Sequence, residues 1–129
     1  MYTFTKDERL RKHNLILKLF AEGKTFRIPP FRITWLMLES QGNSPVEILL
    51  SVPKYNLRKA VQRNRVRRRM KEAFRLHKRI LHETIIPGQK HMLLCLTYTS
   101  KEILPFDHLK GKIILLLQRL KEESEKVTG

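Results

Sequence analysis

The chain has 129 residues, 41% of them hydrophobic, and 27 Lys and Arg against 12 Asp and Glu, for a formal charge of +15. That length and apolar content fit one domain, residues 1–129, around one modest core and exclude a disordered basic tail, while the charge points to a polyanionic partner. A lone Cys95 excludes an intramolecular disulfide and fits a reducing compartment; no apolar run approaches the roughly 18 residues of a membrane span and no secretory signal opens the chain, so the expected setting is cytoplasmic with no membrane partner.

Residues 1 to 13 are polar and basic, with Lys6, Arg9, Arg11 and Lys12 around the apolar anchors Phe4 and Leu10, and read as an irregular arm lying on the body. A short helix is predicted next, from Asn14 as N-cap to a stop at Gly23, with Leu15/Leu19 and Ile16/Phe20 as i,i+4 pairs and Leu17 pointing elsewhere. Thr25 to Ile28 is a short strand ended by Pro29-Pro30, which donate no ladder hydrogen bonds. In the next strand, Phe31 to Leu38, the residues Phe31, Ile33, Trp35 and Met37 make one apolar face, while Arg32, Thr34, Leu36 and Leu38 make a second that begins polar and becomes apolar. The cluster Gln41-Gly42-Asn43-Ser44-Pro45 reads as a turn from which Val46 to Val52 returns as a hairpin partner.

Between Arg58 and Arg75, nine Lys and Arg stand against a single acid, Glu72. At about 100° per residue from Val66, the positions Met70, Ala73, Phe74, His77, Ile80 and Leu81 share one side of a helix. Asn64, Arg68, Lys71, Arg75, Lys78 and Arg79 share the other, and Arg65 and Arg67 flank the stripe. Val61 is out of phase, so the regular helix is expected to begin near Arg63, with Asn56 to Gln62 as a lead-in turn. A face kept for solubility mixes signs and gains from acid–base pairs; here only Glu72 can pair, so the face reads as a surface for nucleic acid. After a Pro87-Gly88 turn, His91 to Tyr98 is nearly continuously apolar and reads as a central strand. A final helix is capped by Asp107, carries Leu109, Ile113, Leu116, Leu117 and Leu120 on one face, and frays from about residue 122 to 129. The order α-β-β-β-α-β-α describes an α+β two-layer sandwich with a mainly antiparallel four-stranded sheet whose second face stays partly open.

No protein-borne active site is visible. The five histidines have no metal-ligand spacing with one another or with Cys95, no Gly-rich phosphate loop is present, and the acids are scattered. His77 reads as a structural histidine and Cys95 as a small buried hydrophobe. No catalytic residue and no metal ligand is assigned.

At Lys59-Ala60-Val61-Gln62-Arg63-Asn64-Arg65-Val66-Arg67-Arg68 the chain resembles the signature of the protein subunit of bacterial ribonuclease P, an Arg-Asn-Arg run opening a basic helix. The resemblance extends to Phe4, Lys6 and Arg9-Leu10, to Leu19-Phe20 with Gly23, to Ser51-Val52-x-Lys54, and to the late apolar strand followed by a Leu-rich helix. It implies a fold like the second domain of a small-subunit ribosomal protein, with a left-handed βαβ crossover at the basic helix against a right-handed norm of about 98%. It also implies a monomer that joins a catalytic RNA to cut precursor tRNA at the 5′ end of the mature tRNA, using Mg²⁺ held chiefly by RNA. The matching contacts to catalytic RNA are Arg58, Lys59, Arg63, Asn64, Arg65, Arg67, Arg68, Lys71 and Arg75, where guanidinium forks suit phosphates. A cleft between the first helix and the open sheet face, lined by Ile16, Phe20, Arg32 and Thr34 with Lys54 nearby, would hold the single-stranded 5′ leader by stacking and charge neutralisation.

Two departures from the family pattern stand out. Family members often carry aromatics where this chain has Ile16 and Thr34, so stacking falls to Phe20 and leader contact is expected to be weaker or differently biased. The segment Pro53-Lys54-Tyr55-Asn56-Leu57-Arg58 replaces a Gly-containing lead-in one residue shorter. Two other readings share the charge: a structural RNA-binder such as a ribosomal protein or RNA chaperone, and a DNA-binding regulator. The second lacks both a partner helix for a helix-turn-helix and a zipper continuing the basic helix.

Overall fold

The computed structural model describes residues 8–39, 45–83, 85 and 90–128. In chain order these form helix α1 (His13–Glu22), strands β1 (Lys24–Ile28), β2 (Phe31–Glu39) and β3 (Val46–Ser51), helices α2 (Ala60–His77) and α3 (Arg79–His82), strand β4 (Lys90–Tyr98) and helix α4 (Phe106–Thr128). Each predicted strand agrees with its observed counterpart to within a residue at either end. The turns expected at residues 41–45 and 87–88, and the anchor Phe4, lie wholly or mostly outside the described residues.

The sheet is mixed, with strand order β1-β2-β4-β3. Strands β1 and β2 form a tight antiparallel hairpin from Lys24↔Trp35 to Ile28↔Phe31, closed by Pro29-Pro30 with a cis peptide bond. Strand β4 pairs antiparallel with β2 and parallel with β3, in the registers Ile33↔Leu96 and Ile48↔Leu94. The hairpin expected between the second and third strands is therefore absent. The reason lies in β4, whose residues from His91 to Tyr98 are all buried and need a neighbour on each side. Chain adjacency, the usual guide to strand pairing, yields to that burial, and β3 goes to the edge.

Alternation along the strands builds two cores. Phe31, Ile33 and Trp35 of β2 join Met92, Leu94, Leu96 and Tyr98 of β4 against Val66, Met70, Ala73 and Phe74 of α2 and Leu109, Ile113, Leu116 and Leu120 of α4. On the opposite face a smaller cluster forms where Leu19 of α1 and Leu10 of the arm cover Leu93 and Cys95. The arm is held by an isolated parallel bridge from Arg9 to Ile48 and by the Leu10 N–H, which donates to the Ile48 carbonyl at 2.9 Å.

Several boundaries differ from those expected. Helix α1 begins at His13 after Lys12, which makes no side-chain cap, so Asn14 sits inside the first turn. Helix α2 begins at Ala60, three residues before Arg63, with Val61 on its exposed side. It is interrupted at Lys78, and α3 resumes to bring Leu81 into the core. Lys78 is not on the basic face: it is buried and its Nζ donates to both carboxylate oxygens of Glu8, at 2.8 and 2.7 Å. Helix α4 starts at Phe106, with Asp107 in its first turn, and runs to Thr128, past residue 122. Ser124 is fully buried, so that end of the helix packs against the body, and its hydroxyl donates within the helix to the Lys121 carbonyl at 2.9 Å.

Gly23 is required by a close approach. Its N–H closes α1 on the Leu19 carbonyl at 2.8 Å, and a Cβ added there would lie 2.4 Å from that oxygen and 3.1 Å from the Trp35 carbonyl. Gly23→Ala should therefore destabilise the fold by about 1–3 kcal/mol in urea titrations. Breaking the Glu8–Lys78 pair leaves a buried carboxylate without its ammonium partner, so Lys78→Ala should cost about 3–5 kcal/mol, whereas Glu8→Leu with Lys78→Met should remain close to wild type. Close to the same pair, burial pushes the His82 imidazole below its ordinary 6.5, with the Glu8 carboxylate pulling it up and the Lys78 ammonium pushing it down. Its Nε2 is buried without a hydrogen-bond partner. The unfolded chain then holds the His82 proton more tightly than the folded one, so this contribution is complete above about pH 6.5 and lost as the pH falls through that value. Stability measured from about pH 7.5 down to 5.5 should fall less steeply in His82→Gln than in wild type.

Candidate nucleic-acid interface

Helix α2 carries the first surface. Its apolar stripe of Val66, Met70, Ala73 and Phe74 is buried against α4 and the sheet, which turns the remaining arc outward. Asn64, Arg65 and Arg68 are exposed on that arc, and Arg67, Lys71 and Arg75 are half-buried along it. Arg58 and Lys59 are exposed immediately before the helix. Asn64, Arg67, Arg68 and Lys71, together with the exposed Val61, line a groove of about 500 Å³. The Asn64 side-chain oxygen accepts from the Arg67 guanidinium at 2.9 Å and so orients it.

Two predicted contact residues are engaged within the protein. The Arg63 guanidinium donates to the Leu57 and Arg58 carbonyls at 3.0 and 2.7 Å, fastening the lead-in to the first turn of α2. Arg75 grips Glu72, its Nε donating at 3.0 Å, and this hydrogen bond holds the Glu72 carboxyl below the usual carboxylate range. Glu72 therefore offsets part of the positive charge at the Arg75 end of the helix. Arg69, which belongs to neither predicted set, donates to the Leu104 carbonyl at 2.6 Å and joins α2 to the segment before α4.

The second surface is the α1 side of the sheet. Ile16 packs on the small cluster of Leu19, Leu93 and Cys95, while Phe20, one turn on, is 55% exposed and Leu17 is 57% exposed. Phe20 is thus outside both cores. Arg32 lies across from Arg27 in β1 and from Thr97 in β4, so two cations and a hydroxyl share one end of this face. Thr34 is buried, in contact range of Thr25 at 3.4 Å between hydroxyls, with its methyl close to Gly23. Lys54 is exposed in the lead-in, and Asn56 fastens that segment to the end of β4 by donating to the Tyr98 carbonyl at 3.0 Å.

The structure also exposes candidates that periodicity passed over. Tyr55 is 71% exposed between Lys54 and Arg58; an aromatic inside a basic run is the signal that marks it. Arg9 and Arg11 face α2 across the edge of β3. Among the described residues no three His, Cys, Asp or Glu side chains gather as they would around a metal ion, and no helix is long and apolar enough to cross a membrane. Cys95 is buried, and that burial pushes its thiol up, away from the reactive thiolate.

The model of the Ribonuclease P family matches residues 4–121, which include both surfaces. The chain belongs to the ribonuclease P protein family. It is 32% identical over 105 residues to the ribonuclease P protein component of Porphyromonas gingivalis, covering 81% of this chain and 77% of that one. It is 31% identical over 126 residues to the component of Chlorobium phaeobacteroides, covering 90% and 86%. Its fold matches the ribonuclease P protein of Thermotoga maritima with a TM-score of 0.67 at 24% identity, over 87% of this chain and 96% of the other. The Staphylococcus aureus ribonuclease P protein matches at 0.66 and 19% identity, over 90% and 97%. Membership of this family ties the chain to ribonuclease P and to tRNA processing.

Proposed function

We propose that α2 docks this protein on the catalytic RNA of ribonuclease P, that the α1 side of the sheet receives the 5′ leader of precursor tRNA, and that the RNA carries the cleavage. The observation that carries the reading is the division of α2 into a fully buried apolar stripe and a wide basic arc bearing the Arg63-Asn64-Arg65 run. A rigid helix holds Arg65, Arg67, Arg68 and Lys71 at fixed spacing, so several phosphates are neutralised with little further loss of side-chain freedom. Arg58 and Lys59 extend the track at its N-terminal end, Arg63 braces the turn that presents it, and Arg75 closes it while sharing its charge with Glu72.

On the other face, Phe20 offers a platform worth about 1–3 kcal/mol per stacked base. Arg32 and Lys54 neutralise the leader backbone, and Ile16 and Thr34 form the apolar and polar floor beneath it. With Ile16 and Thr34 in place of aromatics, one ring on α1 bears most of the stacking, which weakens or biases leader contact. Mg²⁺ belongs to the RNA in this reading; the described carboxylates are dispersed and do not make an oxygen cage for it.

Reconstitution with the cognate RNA at low Mg²⁺ tests the proposal: the protein should raise the rate of precursor-tRNA cleavage, and absence of stimulation contradicts it. Arg65→Ala should weaken binding to the catalytic RNA by about tenfold. Phe20→Ala should instead narrow the preference for precursor over mature tRNA by about tenfold. Loss of the same property in both variants would show that the two surfaces are not divided in this way.

A further inference from the structure

A third groove, of about 350 Å³, wraps the outer edge of β3 between the arm and α2. Its rim is cationic on both sides, Arg9 and Arg11 from the arm facing Arg67 and Lys71 from α2, and between them the edge of β3 makes an apolar floor where the half-buried Leu49 turns to the α1 side of the sheet and Leu50 to the α2 side. No acid is among its described lining residues. Duplex RNA presents phosphates outward and keeps its bases stacked inside, so it would leave an apolar floor unused. An unpaired nucleotide matches both parts, because its base has an apolar π-face and its flanking phosphates are anions. The volume falls at the small end of the range of about 300–1,000 Å³ for single-ligand sites, enough for one nucleotide and too little for a strand.

The geometry points to this groove as the seat of one unpaired nucleotide of the catalytic RNA, its base against the edge of β3 on the Leu49 side and its phosphates between Arg9 and Arg11 on one wall and Arg67 and Lys71 on the other. This rests on the reading of α2 as the docking face, since Arg67 and Lys71 also line the groove along α2 and make the two continuous. The arm wall is built in advance. The Arg9–Ile48 bridge, the buried Leu10 and the Glu8–Lys78 pair hold it against β3 before any ligand arrives. A preformed wall avoids the entropy loss of ordering a flexible arm on binding.

Arg11 is exposed, so Arg11→Glu leaves the fold in place. Filter binding of Arg11→Glu, Arg11→Lys and Arg65→Ala to the full-length catalytic RNA, with dimethyl sulfate probing of each complex, tests the assignment. Arg11→Glu should weaken binding by about tenfold and expose a base in a non-helical segment that the wild type protects, and Arg11→Lys should restore much of both. If Arg65→Ala weakens binding while Arg11→Glu binds with an unchanged footprint, the groove assignment is overturned and the docking face stands. If neither variant weakens binding, the docking reading fails and the groove with it. Loss of precursor preference in Arg11→Glu at unchanged affinity for the catalytic RNA would overturn the assignment by giving the groove to substrate. Protection changes confined to helical segments would overturn the unpaired nucleotide.

Discussion

Strand β4 is apolar on both faces, and burying its side chains from His91 to Tyr98 obliges the chain to cover the sheet twice. The larger cover comes from α2 and α4; the smaller comes from α1 and the arm. Because α1 alone cannot span the second face, the end near Arg27, Arg32 and Thr97 keeps its polar side chains. Because β4 lies between β2 and β3, β3 becomes an edge, and that edge is where the arm and α2 come within reach of each other. Both proposed RNA surfaces and the groove between them descend from the composition of one strand.

The basic helix depends on the same core. Like charges along α2 repel one another, though water and salt damp the repulsion within about 10 Å. Against it, each fully buried apolar side chain contributes about 1.5–3 kcal/mol, and α2 buries Val66, Met70 and Phe74. Internal hydrogen bonds remove some of the strain as well: Arg63 and Arg69 spend their guanidinium donors on carbonyls of the chain, and Arg75 shares its charge with Glu72. What remains concentrated is the stretch between Asn64 and Lys71. A row of cations on a rigid support is well suited to a polyanion, whose displaced counterions supply much of the binding free energy.

Local periodicity was enough to place the strands within a residue, to separate the buried stripe of α2 from its basic arc, and to identify β4 as central. It failed where distant parts of the chain decide. Lys78 sits on the basic side by helical phase alone, yet its partner is Glu8, 70 residues earlier. The placement of β3 beside β4 follows from which strand needs two neighbours, a property of the whole sheet and not of the turn between β2 and β3. In the candidate site, the Arg63-Asn64-Arg65 run was legible because a basic run is visible in one dimension, whereas Phe20, which periodicity pairs with Ile16, came from the family resemblance. The inward turn of the Arg63 side chain, the burial of Thr34 and the alignment of Arg9 and Arg11 with α2 are products of tertiary contact.

The central position of β4 also dictates the order in which the protein can be completed during synthesis. The β1–β2 hairpin is available early, but β3 has no neighbour in the sheet until residues 90–98 have left the ribosome, since its partner residues run from Met92 to Thr97. Until then an apolar strand and the hairpin's open edge wait together with the cationic helix. Nascent chains of this protein therefore pass through an interval in which their most sociable edges are uncovered while their positive charge keeps them apart.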